Sequence, residues 1–279
     1  MDSTCIILHL PEVGKVRSSL PHGPKGPFAP FGTSTENSRF CGLLWQKNPF
    51  LQTMPPTPLD DIKSMFASIS PTYDRLNAWF SLGLDRSWRQ EIRKALPFRG
   101  GEILDCCTGT GELALLLASK GYHVTGIDVC EPMLAQARKK VPQGTPLEFV
   151  EADVYKLPFP DRSFHAVTNA FSLRNLFNLR QVFRETHRVL APSGVALFLD
   201  LTRPKRWLRP FHQLYLQRFI PFIGGLVSGN RKAYAYLAHS ILSFHSKEEI
   251  RDLLLEGSFR HVEIRPLSSG IATLWMAVK

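Results

Sequence analysis

An α/β architecture, with a doubly wound parallel sheet covered by helices on both faces, is the expectation from this sequence. Short apolar runs of strand length alternate with helical periodicity from about residue 102 to residue 200. One of those runs ends in a glycine turn, Asp105-Cys106-Cys107-Thr108-Gly109-Thr110-Gly111. Acids recur where successive strands should end, at Asp105, Asp128 and Asp153. Ligands of open α/β sheets bind outside the carboxyl ends of the strands, so these acids predict a site as well as a fold.

The elements follow in order. Thr57-Pro58-Leu59-Asp60-Asp61 reads as a helix start, with Thr57 as N-cap, proline at the first helical position and acids in the first turn. Helices then fill residues 58 to 96. A strand at 102–105, a helix at 111–120, a strand at 123–127, a helix at 131–140 and a strand at 147–151 come next. The strand at 164–169 leads to a helix near 178–190, where Leu179, Val182, Phe183 and Thr186 keep helical spacing, and to a strand at 194–200. Residues 204–243 are helical, basic and aromatic, and read as an insertion over the ligand-binding edge. Ser246-x-x-Glu249 is a capping box and Gly257 a C-cap, bounding a helix of about ten residues. Strands near 259–266 and 271–278 finish the chain.

Residues 1–56 hold scattered Pro, Gly and Ser with no sustained period, so they read as a disordered extension, or as sequence ahead of a true start at Met54 or Met65. A targeting segment with an organellar destination is the rival reading, against which Asp2, Glu12 and Glu36 stand. Residues 57–279 form the expected domain, and 44% apolar residues suffice for its core. The five cysteines include no C-x-x-C pair, which fits a reducing, cytoplasmic setting. The nine histidines show no metal-ligand spacing, so the expected mechanism uses no metal.

Charge is distributed unevenly. The formal net charge is +10, and between Leu201 and Lys247 there is no acid. Arg203, Lys205, Arg206 and Arg209 lie there among Trp207, Phe211, Phe219 and Phe222. Nucleic acid would use the charge but not the large apolar groups. Residues 204–227 are therefore expected to touch a membrane peripherally, cations at anionic headgroups and rings at the acyl boundary. No apolar run approaches the roughly 18 residues of a spanning helix.

Gly109-x-Gly111-x-x-Ala114 fits the dinucleotide fingerprint, yet Asp105 would repel a pyrophosphate. The same carboxylate attracts the ammonium and sulfonium of S-adenosylmethionine; opposite charges about 4 Å apart are worth about 4 kcal/mol at an effective dielectric of 20. Asp128 would then accept from the ribose hydroxyls, and Asp153 from the adenine amino group. A plain strand-to-helix turn with a capping carboxylate is the bland alternative.

With these segments in view, the chain resembles the class I S-adenosylmethionine-dependent methyltransferases, and more narrowly the ubiquinone/menaquinone C-methyltransferase family. Leu157-Pro158-Phe159-Pro160-Asp161 and Arg188-Val189-Leu190-Ala191-Pro192-Ser193-Gly194 carry the broad likeness. The narrow one rests on Tyr73-Asp74-Arg75-Leu76-Asn77, Leu82-Gly83-Leu84-Asp85-Arg86-Ser87-Trp88, Phe171-Ser172-Leu173-Arg174-Asn175 and Tyr234-Ala235-Tyr236-Leu237-Ala238-His239-Ser240-Ile241. It runs from about residue 59 to the C-terminus.

The resemblance implies a Rossmann-like, seven-stranded, doubly wound sheet with N-terminal helices and a helical insertion before the last two strands. It implies S-adenosylmethionine as donor, a demethylated isoprenoid quinol as acceptor, and a homodimer as one assembly. Thr110, Asp128, Asp153 and Val154 would contact the donor, together with Asp105, Gly109 and Gly111 of the turn, and Tyr73 would close over it. Arg174, Asn175 and Asp153 are the expected catalytic residues. Arginine stays protonated, so Arg174 would stabilise a phenolate or orient a water rather than act as a base. Tyr234, Tyr236 and His239 would wall the substrate pocket. The chain departs from the family's commonest pattern at Ala170, where serine is frequent, and at His239, where an acid is frequent, which leaves the proton route open. Two rivals remain: a methyltransferase for another lipid or hydrophobic acceptor, and a cofactor-binding scaffold of a quinone-biosynthetic complex.

Overall fold

The computed structural model describes residues 59–228 and 231–279. The proposed extension at 1–56 and the Thr57–Pro58 helix start lie outside the described residues.

Three helices precede the sheet: α1 (Leu59–Ile69), α2 (Tyr73–Phe80) and α3 (Leu84–Ala95). Helix α3 is strongly two-sided and buries Trp88 and Ile92. The indole of Trp88 donates to Ser268 Oγ at 2.9 Å, tying the N-terminal helices to the far end of the chain.

Strands and helices then alternate: β1 (Glu102–Cys106), α4 (Glu112–Ala118), β2 (His123–Asp128), α5 (Glu131–Arg138), β3 (Leu147–Glu151), β4 (Phe164–Ala170), α6 (Leu179–Val189) and β5 (Leu190–Leu201). The insertion holds α7 (Arg209–Leu214), a π turn over Tyr215–Phe219, α8 (Ile220–Ser228) and α9 (Arg231–Ser243), followed by α10 (Lys247–Glu256), β6 (His261–Leu267) and β7 (Ala272–Val278). The capping box is present, with Ser246 N–H donating to Glu249 Oε2 at 2.6 Å and Glu249 N–H donating to Ser246 Oγ at 3.2 Å. Gly257 caps α10 with φ −75°. A side chain there would meet the Leu254 carbonyl at 3.1 Å, so close packing and not a left-handed turn requires the glycine.

The seven strands lie in the order β3-β2-β1-β4-β5-β7-β6. The first five are parallel, as expected, but β7 runs antiparallel to both β5 and β6. Residues 268–271 are all that join β6 to β7, and parallel pairing would need a crossover of a dozen or more residues. The other difference is at β5, which begins at Leu190, directly after α6, rather than at 194. Residues 191–193 fall between the expected helix and strand, whereas here Pro192-Ser193-Gly194 carries the irregular start of the strand, with a register shift between Phe164 and Ala166. A Cβ on Gly194 would lie 2.8 Å from the Ala191 carbonyl.

Period-two alternation splits the core between the faces of the sheet. Leu104, Ile127, Val167, Phe198 and Trp275 pack with α6 and α10. Ile103, Ala166, Leu197 and Leu274 pack with α3 and α4. A third cluster joins Ile69 and Leu76 to Leu216, Ile220, Ala238 and Ile241. The insertion therefore packs on α1 and α2. The strand order reverses between β1 and β4, and there a crevice opens at the carboxyl edge.

Candidate active site

The crevice is built around the turn after β1. Gly109 and Gly111 have φ of 57° and 78°, a region that glycine enters without steric cost. Cys107 shares it with φ 52°. A Cβ on Gly111 or on Gly126 of β2 would lie 2.7 Å from the Phe149 ring, so bare backbone lets that ring seat beneath the turn. Both oxygens of Asp128 accept backbone N–H groups at 2.9 Å, from Gly109 and from Cys130. Burial pushes this carboxyl above the usual range while those donors hold it down.

Asp105 is buried in β1 and accepts from Thr108 Oγ1 at 2.6 Å and Thr168 Oγ1 at 2.7 Å. Burial raises its pKa to about 6, against the pull of the two hydroxyls and of Arg89. Burial and the neighbouring Asp128 and Asp153 push the Cys107 thiol up, and Cys106 is likewise raised by burial. Both thiols stay protonated, which suits packing and not redox chemistry.

Asp105, Gly109, Thr110, Asp128, Tyr73 and Asn175 all line this crevice. Gly111 turns the chain behind it. Asp153 faces solvent and accepts from Tyr155 N–H at 2.9 Å, while Val154 is buried in the core. Neither lines the crevice or the cavities beside Arg174. Strand-end position does not reveal which way such a side chain turns.

Thr110 has a structural tie that sequence did not suggest. Its hydroxyl donates to Asp74 Oδ1 at 2.5 Å. Lys140 Nζ donates to Asp74 Oδ2 at 2.6 Å, to the Thr110 carbonyl at 2.9 Å and to Glu112 Oε1 at 2.8 Å. The clasp fastens α2, and with it Tyr73, to the glycine turn.

Arg174 lies in a 3-10 turn, Leu173–Asn175, after β4. Its Nη1 donates to Asp200 Oδ1 at 2.5 Å and to the Phe171 carbonyl at 2.6 Å. Its own backbone N–H donates to Asp200 Oδ2 at 3.2 Å. Asp200 is fully buried, and the Arg174 side chain is 5% exposed. Among the described residues, the buried Arg174 Nε–H has no acceptor. Asn175 Oδ1 accepts from the Tyr236 hydroxyl at 3.1 Å, and burial raises that phenol. Tyr234 meets Phe80 edge-on, with ring centroids 5.3 Å apart, and lines a small cavity with Tyr236, Arg174 and Asn175. His239 is partly buried and lines none of these cavities.

Three lining or supporting residues escaped sequence reasoning. Asp200 sits near the end of β5, and the strand-end rule that singled out Asp105 and Asp128 would have found it. Lys63 and Arg89 also line the crevice, but each sits on a helix in an ordinary charged context. Arg89 bonds Asp85 at 2.6 Å and lies 5.0 Å from the Phe171 ring centroid. Acids at the glycine turn facing cations on α1 and α3, with close backbone at Gly109, fit a zwitterionic nucleoside such as S-adenosylmethionine.

The sequence model of the ubiE/COQ5 methyltransferase family matches residues 57–279. A Thermus thermophilus protein named demethylmenaquinone methyltransferase is 41% identical over 215 residues, covering 75% of this chain and 97% of its own. A Rickettsia bellii protein named ubiquinone/menaquinone biosynthesis C-methyltransferase is 35% identical over 228 residues, covering 78% of this chain and 92% of its own. Among solved structures, an S-adenosylmethionine-dependent methyltransferase from Thermotoga maritima superposes with a TM-score of 0.59 at 18% identity, covering 77% of this chain and 99% of that one. A Haemonchus contortus phosphoethanolamine N-methyltransferase holding S-adenosylhomocysteine gives 0.56 at 15% identity, covering 79% and 58%. At such identity the structural likeness speaks for the fold alone.

Proposed function

This chain belongs to the ubiE/COQ5 methyltransferase family of S-adenosylmethionine-dependent enzymes, and we propose that it methylates a ring carbon of a demethylated isoprenoid quinol. The observation that carries the reading is Arg174. It is a buried guanidinium, fixed by Asp200 and short of one acceptor, in the wall of an apolar cavity that shares Tyr73, Arg89 and Phe171 with the cofactor crevice.

The donor, when bound, supplies an electrophilic methyl on a sulfonium. Asp128 has lone pairs left for the ribose hydroxyls. Asp105 provides negative charge at the turn, and Lys63 and Arg89 provide the cations for a carboxylate. Asp153 faces solvent and lines neither the cofactor crevice nor the cavity at Arg174, so no step of the transfer is given to it.

On the acceptor side, a phenol with pKa about 10 must give up its proton for the ring to become nucleophilic. Arg174 stabilises the phenolate in a site shielded from water, where fixed charge is most effective. Asn175, held by Tyr236, orients the neighbouring oxygen. A carbon–carbon bond then forms as the carbon–sulfur bond breaks and S-adenosylhomocysteine leaves; the ring carbon's proton replaces the one the phenol gave up, restoring aromaticity, so that one proton in all is released to solvent.

The test is transfer of label from methyl-labelled S-adenosylmethionine to reduced demethylmenaquinone or a short-chain analogue in detergent. Arg174→Ala should lower turnover at least a hundredfold, on the order of losing one transition-state donor, with donor affinity retained. No label in the quinol under reducing conditions overturns the reading. Full complementation of a quinone-deficient strain by Arg174→Ala would favour a scaffold instead.

The same reading places the enzyme at a membrane surface. No helix among the described residues is long and apolar enough to cross a bilayer. Trp207, Phe211, Leu214 and Phe222 of the insertion are each more than 60% exposed, beside the acid-free run of cations. Such a surface supports peripheral contact through residues 204–227.

A further inference from the structure

The apolar cavity beside Arg174 has about 420 Å³ of accessible space and extends well past the place a quinol ring would occupy. Its inner end is Tyr73, Phe171 and Arg174, the residues next to the cofactor crevice. Its middle is walled by Leu216, Ile220, Leu237 and Ile241, from both halves of the insertion. Its outer end is Leu82, Leu84 and Phe211, of which Leu82 is 85% exposed and Phe211 70% exposed.

The polar groups in this wall are largely occupied by one another. Asp85 accepts from Ser81 Oγ at 2.7 Å and from Arg89 Nη1 at 2.6 Å. The Tyr215 hydroxyl donates to the Phe80 carbonyl at 2.9 Å. Burial lowers the pKa of His212, favouring its neutral form. Such a lining suits a flexible hydrocarbon and offers little to a polar ligand.

We propose that this cavity is a channel for the prenyl tail of the substrate, entered from a lipid surface between Leu82 and Phe211, with the ring delivered first to Arg174. The inference rests on the quinol reading above and adds to it a site, a direction of entry and a selectivity. Two features fix the occupant: the inner wall is continuous with the reaction site, and the mouth opens among exposed large apolar side chains. A hydrocarbon attached to the ring can therefore leave the site without crossing water. Tail recognition here is by burial, so affinity rises with the length of tail that the channel covers.

The channel is tested with Leu208→Trp, which adds bulk at a partly buried wall position near the mouth, and Phe211→Asp, which makes the exposed mouth polar. Each is assayed with a tail-free demethylated naphthoquinol and with the same ring carrying two isoprene units. Thermal unfolding and donor affinity confirm that the variants are folded. The expected result is a drop in kcat/KM for the prenylated acceptor of about tenfold, the size expected from excluding roughly two methylene groups, with the tail-free acceptor unchanged. Equal losses on both acceptors, or no loss on the prenylated one, overturn the channel. A calorimetric titration with a two-isoprene alcohol separates this proposal from the reaction itself. Binding to the wild type that Leu208→Trp abolishes supports the channel even if neither quinol is methylated, an outcome that would sink only the assigned reaction. No binding of the alcohol to the wild type overturns the channel.

Discussion

Asp105 combines burial with a position on the cofactor crevice, and this makes its ionisation a measurable handle. Its pKa stands near 6 against the ordinary 3.8, so between those two values the folded protein holds a proton that the unfolded chain has released, and above about 6 the carboxylate is ionised in both. The stability contributed by the protonated carboxyl is complete below pH about 3.8 and is lost as pH rises through about 6. A cationic cofactor acts in the opposite sense because it requires the carboxylate. Affinity for S-adenosylmethionine should fall, by up to tenfold per pH unit, as pH drops below about 6, and Asp105→Asn should flatten that profile at a lower affinity. Calorimetry across pH 5 to 8 checks this; an unchanged slope in the variant would remove Asp105 from the binding site. Asp200 offers the second single-residue prediction. Asp200→Asn leaves a buried guanidinium without its counter-charge, which costs about 3–5 kcal/mol when such a pair is broken. Turnover should fall with the melting temperature while S-adenosylmethionine affinity holds, and a variant melting with the wild type would show that the pair is not a stabilising one.

Between elements, the decisive contact is the clasp of Lys140, Asp74, Thr110 and Glu112, which joins α2 to the glycine turn from a position just past α5. The lysine side chain is 29% exposed, so each ion pair is worth about 0–1 kcal/mol and is screened by salt. Its effect is therefore expected on the placement of Tyr73 in the crevice wall more than on global stability. Lys140→Met should raise the KM for S-adenosylmethionine several-fold and speed its release, with melting temperature little changed, while Lys140→Arg should restore most of the affinity. Stopped-flow release rates equal to wild type for Lys140→Met would dismiss the clasp as incidental. The element most visible in sequence was α10, because a capping box and an apolar period lie within one short segment. Least visible was the start of β5, where a register shift and the tight approach at Gly194 depend on β4 lying alongside.

Across the molecule, the acid-free basic and aromatic run lies in the insertion that packs on the N-terminal helices and carries the mouth of the apolar cavity. Arg203, Lys205, Arg206 and Arg209 near an anionic surface contribute about 1 kcal/mol each before screening. Changing all four to Gln should abolish co-sedimentation with anionic liposomes at low salt and leave turnover on a tail-free acceptor unaltered. Equal sedimentation of both proteins would return the segment to an ordinary solvated face.

The alternation of strands and helices, the glycine turn, the acids at 105 and 128, and the place of Arg174 after β4 could all be read from the chain, because each is written in spacings of two to four residues or in a short local motif. Other features depend on residues that are remote in sequence. The pairing of Arg174 with Asp200, the use of the Thr110 hydroxyl to hold Asp74, the outward turn of Asp153 and the antiparallel seat of β7 between β5 and β6 are of this kind. Their cause is the register and order of the sheet together with the packing of the insertion on α1 and α2. Local periodicity states which side of an element is apolar, but not which distant polar group will lie opposite once that side is buried.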